Sequence, residues 1–227
     1  MNRILPFAVA GLVLSCAAIA QIPSNTAWVR VVHASADAPA VDILANGNLV
    51  FQGIAFKGFT EYTPVPPATY TFSINVSGTS TTVLSTGAMP LQGGMAYTFF
   101  AVGKVSAGTL SVMGAGDDVA TAGTGIAKIR VVHGASTAPT VDVFATAPYA
   151  PLPNAPTLTK VPFPFASDYL AVPAGVYQAR VTPTGSKTVA IDSGRLPLTG
   201  NTVRTVIALD PKTPGGPFEL LILPDTN

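Results

Sequence analysis

Residue types that do chemistry stand in close order twice in this chain. Arg30, His33 and Asp42 lie within WVRVVHASADAPAVDILA (28–45), and Arg130, His133 and Asp142 lie within KIRVVHGASTAPTVDVFA (128–145). An imidazole between a hydroxyl and a carboxylate is the constellation of nucleophilic hydrolysis, and Ser35 supplies the hydroxyl in the first copy. The second copy removes it: Ser35 becomes Ala135 and Asp37 becomes Thr137. No G-x-S-x-G elbow occurs, and one His per copy without Cys is too few for zinc. His33 and His133 are therefore read as strand-end residues, hydrogen-bonded to the following loop or to the nearby Asp. Arg30 and Arg130 are read as outward-facing, each paired with an Asp across neighbouring strands. No catalytic residue, metal ligand or cofactor is assigned.

The elements that position these residues are strands. Val29, Val31 and His33 alternate with Arg30 and Val32, and Val41 and Ile43 with Asp42. Asn46-Gly47 predicts a type I′ hairpin turn into 49–51. Further strands are expected at 59–64, 70–76, 81–85, 96–102 and 110–113, and Gly or Pro interrupts every stretch long enough for helical periodicity. With 21 Gly, 21 Pro and only 10% charged residues, the composition suits short strands and turns. The expected fold is all-β, two tandem immunoglobulin-like or transthyretin-like β-sandwiches.

Residues 1–20, MNRILPFAVAGLVLSCAAIA, have the pattern of a signal peptide: Arg3, an apolar stretch too short to span a bilayer, then Ala18-Ile19-Ala20 before the cut. Cleavage would remove the single cysteine, Cys16, and leave a chain without disulfides. The competing reading is a lipoprotein signal with Cys16 as the lipidated first residue. No transmembrane helix is expected in the mature chain. The sandwiches are expected at 21–116 and 127–227, joined by a flexible, solvated linker at 117–126 that carries Asp117 and Asp118. A net charge of +1 with no basic run argues against a nucleic-acid partner.

The second half departs from the first after Ala145. The offset between matching residues grows from 100 to 107, which places a seven-residue insertion between 145 and 167. The segment is rich in proline and carries Tyr149, Phe163 and Phe165, with Tyr169 just beyond. It reads as a strap over a sheet edge or over the other domain, or as a binding excursion in which these four aromatics form a ligand-binding cluster.

The VRVVHASADAPAVDI stretch, followed by Val65-Pro66-Pro67-Ala68-Thr69-Tyr70, resembles a family of bacterial secreted and surface domains of unknown function. Its members carry VRVVHASPDAPAVDV and a PAGTY-like turn, matched in the second half by RVVHGASTAPTVDVF and Val172-Pro173-Ala174-Gly175-Val176-Tyr177. The resemblance implies a sandwich in the cell envelope or outside the cell, with no reaction and no site residues. The function expected is an exported binding, adhesion or structural module whose partner is an unknown envelope protein or a glycan. The alternative is an extracellular hydrolase or carbohydrate-binding protein with a site near 146–167.

Overall fold

A computed structural model of the chain describes residues 22–226; the expected signal peptide and Cys16 lie outside the described residues. The first half contributes β1 (Ala27–His33), β2 (Val41–Ala45), β3 (Asn48–Ile54), β4 (Thr63–Val65), β5 (Ala68–Tyr70), β6 (Phe72–Val76), β7 (Thr82–Ser85), β8 (Met89–Leu91), β9 (Ala96–Val102) and β10 (Ser111–Asp117). The second contributes β11 (Ile126–His133), β12 (Val141–Thr146), β13 (Leu158–Val161), β14 (Phe165–Ala166), β15 (Leu170–Pro173), β16 (Gly175–Pro183), β17 (Ile191–Asp192), β18 (Leu196–Leu198), β19 (Val203–Leu209) and β20 (Glu219–Thr226). All regular structure among the described residues is strand, arranged as tandem β-sandwiches. The Asn46-Gly47 turn forms as predicted, with φ of 48° and 82° joining β2 to β3.

Each half is built on two main sheets, with the two-stranded β5–β8 sheet besides in the first, and β15 on β11 and β18 on β16 in the second. In the first, an inner sheet β10-β9-β1-β4 faces an outer sheet β3-β2-β6-β7; in the second, β14-β11-β19-β20 faces β13-β12-β16-β17. The inner sheets are built alike: β1 runs parallel to β9, and β11 parallel to β19. Val29, Val31, Phe99 and Ala101 point into the core shared with the outer sheet, packing on Val41, Ile43, Phe72 and Ile74.

The opposite face of each inner sheet is also interior. Val32, Phe100 and Val102 from the first half and Val132, Ile207, Leu209 and Leu223 from the second form one fully buried cluster. The two inner sheets therefore pack face to face, and four sheet layers stack in a single body. This explains why VRVV, AYTFFAV and VRTVIAL carry apolar residues at both parities: a sheet covered on both faces has no solvent side to alternate with.

Two expectations change here. The segment read as the start of a flexible linker is strand: β10 continues through Asp117, and Asp117 is buried. The strand expected over 70–76 breaks at Thr71, with β5 pairing β8 and β6 pairing β2 in another sheet.

Because the shared cluster belongs to both halves, Phe100→Ala, at a fully buried site within it, is expected to cost about 3–5 kcal/mol. The loss is expected as one urea transition of lowered midpoint; two separate transitions in wild type would show that the halves are energetically independent.

Candidate functional site

The residues singled out by the repeat sort into three places. The first is the interface between the inner sheets. Arg30 and Arg130 do point away from their own sandwich cores, but they are 2% and 1% exposed, buried between the halves. Their carboxylate partners do not lie on neighbouring strands. Arg30 Nη2 meets Asp225 Oδ1 at 2.5 Å, and Arg130 Nη2 meets Asp117 Oδ1 at 2.7 Å, so each arginine pairs with the carboxylate of the other half.

Two threonines close these pairs into a ring. Arg30 Nε donates to Thr98 Oγ1 at 2.8 Å, and the Thr98 hydroxyl donates to Asp117 Oδ2 at 2.6 Å. Arg130 Nε donates to Thr205 Oγ1 at 3.1 Å, and Thr205 to Asp225 Oδ2 at 2.6 Å. The circuit runs Arg30, Thr98, Asp117, Arg130, Thr205, Asp225 and back to Arg30. Tyr62 and Tyr169 lie against the two guanidinium groups, 4.6 and 4.7 Å from ring centroid to Cζ, and each phenol donates to an aspartate at 2.8 Å. The remaining arginine donors reach the carbonyls of Pro224 and Gly116.

Burial alone would lower the Arg30 pKa, but Asp225, Tyr62 and Asp117 together more than offset it and the value is raised. Burial, then the nearby aspartates, push the Tyr62 and Tyr169 phenols well above their usual range. Arg30 is therefore held as the cation, and the two phenols are held neutral.

The second place is the loop after each inner strand. His33 is completely buried, with Nε2 2.9 Å from the Pro39 carbonyl and Nδ1 3.4 Å from the Ser35 amide. His133 Nε2 lies 3.2 Å from the Pro139 carbonyl. Among the described residues, neither imidazole has a side-chain hydroxyl or carboxylate as a hydrogen-bond partner. Asp42 instead accepts from the Gly53 and Gly78 amides and the Ser77 hydroxyl, while Asp142 accepts from the Lys160 and Gly185 amides and from Thr159 and Thr184. Each thus ties one neighbouring strand, β3 or β13, and one turn to β2 or β12, and these amides hold both carboxyls below the ordinary value.

The comparison of Asp37 with Thr137 hid an exchange of sides. Asp37 accepts from the amides of Val105 and Ser106 and from the Ser106 hydroxyl. In the second half the carboxylate comes from the far loop: Asp210 accepts from the amides and hydroxyls of Ser136 and Thr137. The clasp is retained with donor and acceptor loops reversed. Among the described residues, no group of three or more His, Cys, Asp or Glu is placed to hold a metal ion.

The third place is the insertion. Residues 147–157 form a strap over the outward face of β12 and β16, and three side chains fasten it. Gln178 Oε1 accepts from the Tyr149 amide at 2.6 Å, Arg180 donates to the Ala150 carbonyl at 2.6 Å, and Lys187 donates to the Pro153 carbonyl while lying over the Phe144 ring. The expected aromatic cluster does not assemble. Phe163 packs edge-on to His133 beside the inter-sheet cluster, Phe165 enters the second core, and Tyr169 belongs to the ring. Only Tyr149 faces solvent, 77% exposed, at a left-handed φ of 60°.

A pH dependence follows. Burial lowers the pKa of both imidazoles below the ordinary 6.5. Folding favours the neutral form, so this stability is fully present above about pH 6.5 and is lost as pH falls through the folded-state values. The depressed Asp42, Asp142 and Asp210 carboxyls add a second loss below about pH 4. Urea midpoints taken from pH 8 to 4 are expected to decline in the first range for wild type and to stay flat there for a His33→Gln, His133→Gln variant.

No curated protein matches the chain. Among solved structures, the Bacillus anthracis TIE protein is 11% identical, with a TM-score of 0.27 over 82% of this chain and 34% of its own. This chain thus spans about a third of that one. A streptococcal virulence factor described by its alpha-glucan binding is 10% identical, with a TM-score of 0.28 over 86% of this chain and 95% of its own. A leucine-rich repeat protein from Bacteroides thetaiotaomicron is 14% identical, with a TM-score of 0.22 over 80% and 26%. The family described as domain of unknown function DUF4397 matches residues 27–144 and again 148–227, and the chain belongs to that family.

Proposed function

We propose that this chain is an exported, non-catalytic module of the cell envelope or extracellular space, which holds a partner protein or glycan through the strap at 147–157. The observation that carries the reading is the contrast between Tyr149 and the repeated residues. Arginine, histidine and aspartate of the repeat are committed to internal partners, whereas Tyr149 stands in solvent on a backbone pinned by Gln178. An exposed tyrosine on a pinned backbone offers a flat apolar face with a hydroxyl at its rim, which suits both protein hot spots and saccharide rings. Membership of a family of domains of unknown function, in two segments of one chain, agrees with a module that binds rather than reacts.

Export is the part of the proposal that the leader carries. Mass spectrometry of the mature protein is expected to find Gln21 as the first residue; a diacylated Cys16 would replace free secretion with a lipid anchor. For the strap, Tyr149→Ala is expected to weaken sedimentation with isolated envelope at least tenfold, roughly a modest hot spot, with an unchanged melting temperature. A glycan array run with the same pair of proteins separates saccharide from protein partners. Binding indifferent to Tyr149→Ala in both assays would sink the strap as the contact surface.

A further inference from the structure

We infer that the buried face joining the two halves is a two-fold, self-complementary docking surface, and that the partner it fits in trans is the opposite half of a second copy of this chain. Every contact of the central polar ring has a counterpart under exchange of the halves; the Lys57–Glu219 pair and the Lys212 bond to the Ala36 carbonyl, at the edge, also join the halves and lie outside this symmetry. Arg30–Asp225 at 2.5 Å answers Arg130–Asp117 at 2.7 Å, and Thr98–Asp117 answers Thr205–Asp225, both at 2.6 Å. Tyr62–Asp117 answers Tyr169–Asp225, both at 2.8 Å, and the Pro224 carbonyl answers that of Gly116, at 3.1 and 3.2 Å. The apolar part is shared in the same way, Val32, Phe100 and Val102 facing Val132, Ile207 and Leu209. Reciprocal contacts of this kind, residue i on j and j on i, are the signature of an isologous dimer interface.

The covalent connection contributes little to this surface. Between Asp117 and Ile126 the chain runs through 118–125, held by Lys128 to Asp118 and to the Ala120 carbonyl, both at the surface. Residues 118–125 supply no side chain to the ring or to the buried cluster. Their role is to raise the local concentration of one half around the other, to roughly millimolar for a short flexible tether. Below that concentration the closed monomer prevails; above it, or with the tether cut, the same contacts form between molecules. Charge fixes the register of the fit, because each arginine finds its carboxylate across the interface.

The test cuts the tether in the folded protein. A protease recognition sequence is inserted after Gly123, and the purified full chain is cleaved. The two fragments are expected to co-elute in gel filtration at micromolar concentration with their strand circular dichroism intact. Their melting temperature should become concentration-dependent, as a bimolecular complex requires. Cleaved preparations carrying different tags are expected to exchange halves on mixing, so that one tag recovers the other's fragment. Asp225→Ala removes the ion-pair partner of the buried Arg30 and is expected to weaken the cleaved complex by at least roughly a hundredfold; an uncut Asp225→Ala chain that retains its strand spectrum shows that the variant folds. Wild-type fragments that separate or unfold on cleavage would overturn the inference. So would tags that never exchange, or an Asp225→Ala complex as tight as wild type.

Discussion

A guanidinium is a permanent cation in proteins, and the guanidinium-bearing side chains of Arg30 and Arg130 are both nearly sealed from solvent. A buried guanidinium without an anion beside it is costly by several kcal/mol, so the position of everything around these two side chains is constrained. Each inner sheet supplies half of the answer. Thr98 sits on the strand next to Arg30 and Asp117 on the strand beyond it, yet Asp117 gives its second oxygen to Arg130, across the interface. Neither half can neutralise its own arginine in this geometry. The sheets must face each other, in this register and in this order, before the charges close.

That constraint accounts for the stack of four layers better than apolar burial does. The Val32, Phe100, Ile207 and Leu223 cluster would reward many ways of sliding one sheet over the other, since packing of aliphatic side chains is weakly directional. The ring is directional. Arg Nε donates to a threonine and Nη2 to a carboxylate, and a shift by one residue along β1 would replace Arg30 with an outward-facing valine or turn it into its own sandwich core. The buried ions serve here to choose one arrangement among several of similar apolar content, a role that buried polar groups play in some coiled coils. The tyrosines complete the choice by covering the guanidinium faces and adding a donor to each shared aspartate oxygen.

Much of this was legible in the sequence, and the rest was hidden for physical reasons. Alternation located β1 and β2, Asn46-Gly47 located their hairpin to β3, and the jump in offset located the strap. The outward direction of Arg30 relative to Val29 and Val31 was readable too; its destination was not, because the partner is 195 residues away. A signal for the interface did exist. Val32 and Phe100 place apolar residues on the face that alternation assigns to solvent, which is how a doubly covered strand reads. Asp117 was lost to composition: set among Gly and Ala, it looked like linker. Its counterpart Asp225 lies at an offset of 108 because the loop from β19 to β20 is one residue longer than that from β9 to β10. The aromatic cluster failed for another reason. Phe163, Phe165 and Tyr169 are close in sequence, but a chain passing from outer to inner sheet turns neighbouring side chains toward different interiors.

The departures from symmetry are as constrained as the symmetry. Beneath the strap lie Phe144, Gln178 and Arg180, where the first half has Leu44, Thr71 and Ser73. A large ring and a long cation on an outer sheet face need cover, and the smaller residues of the first half do not. The strap in turn needs that floor, since its carbonyls at Ala150 and Pro153 and its Tyr149 amide are satisfied by Arg180, Lys187 and Gln178. Insertion and floor therefore make one unit, each explaining residues that would be costly alone. The left-handed backbone at Tyr149 belongs to the same unit: a bulky residue at positive φ is unfavourable by about 1 kcal/mol or more, and the Gln178 contact holds it there. A loop serving only to protect a sheet edge has no need to fix a tyrosine in that conformation with its ring in solvent. The repeated arginines close the two halves on each other, and the unrepeated strap leaves the Tyr149 ring in solvent on a pinned backbone.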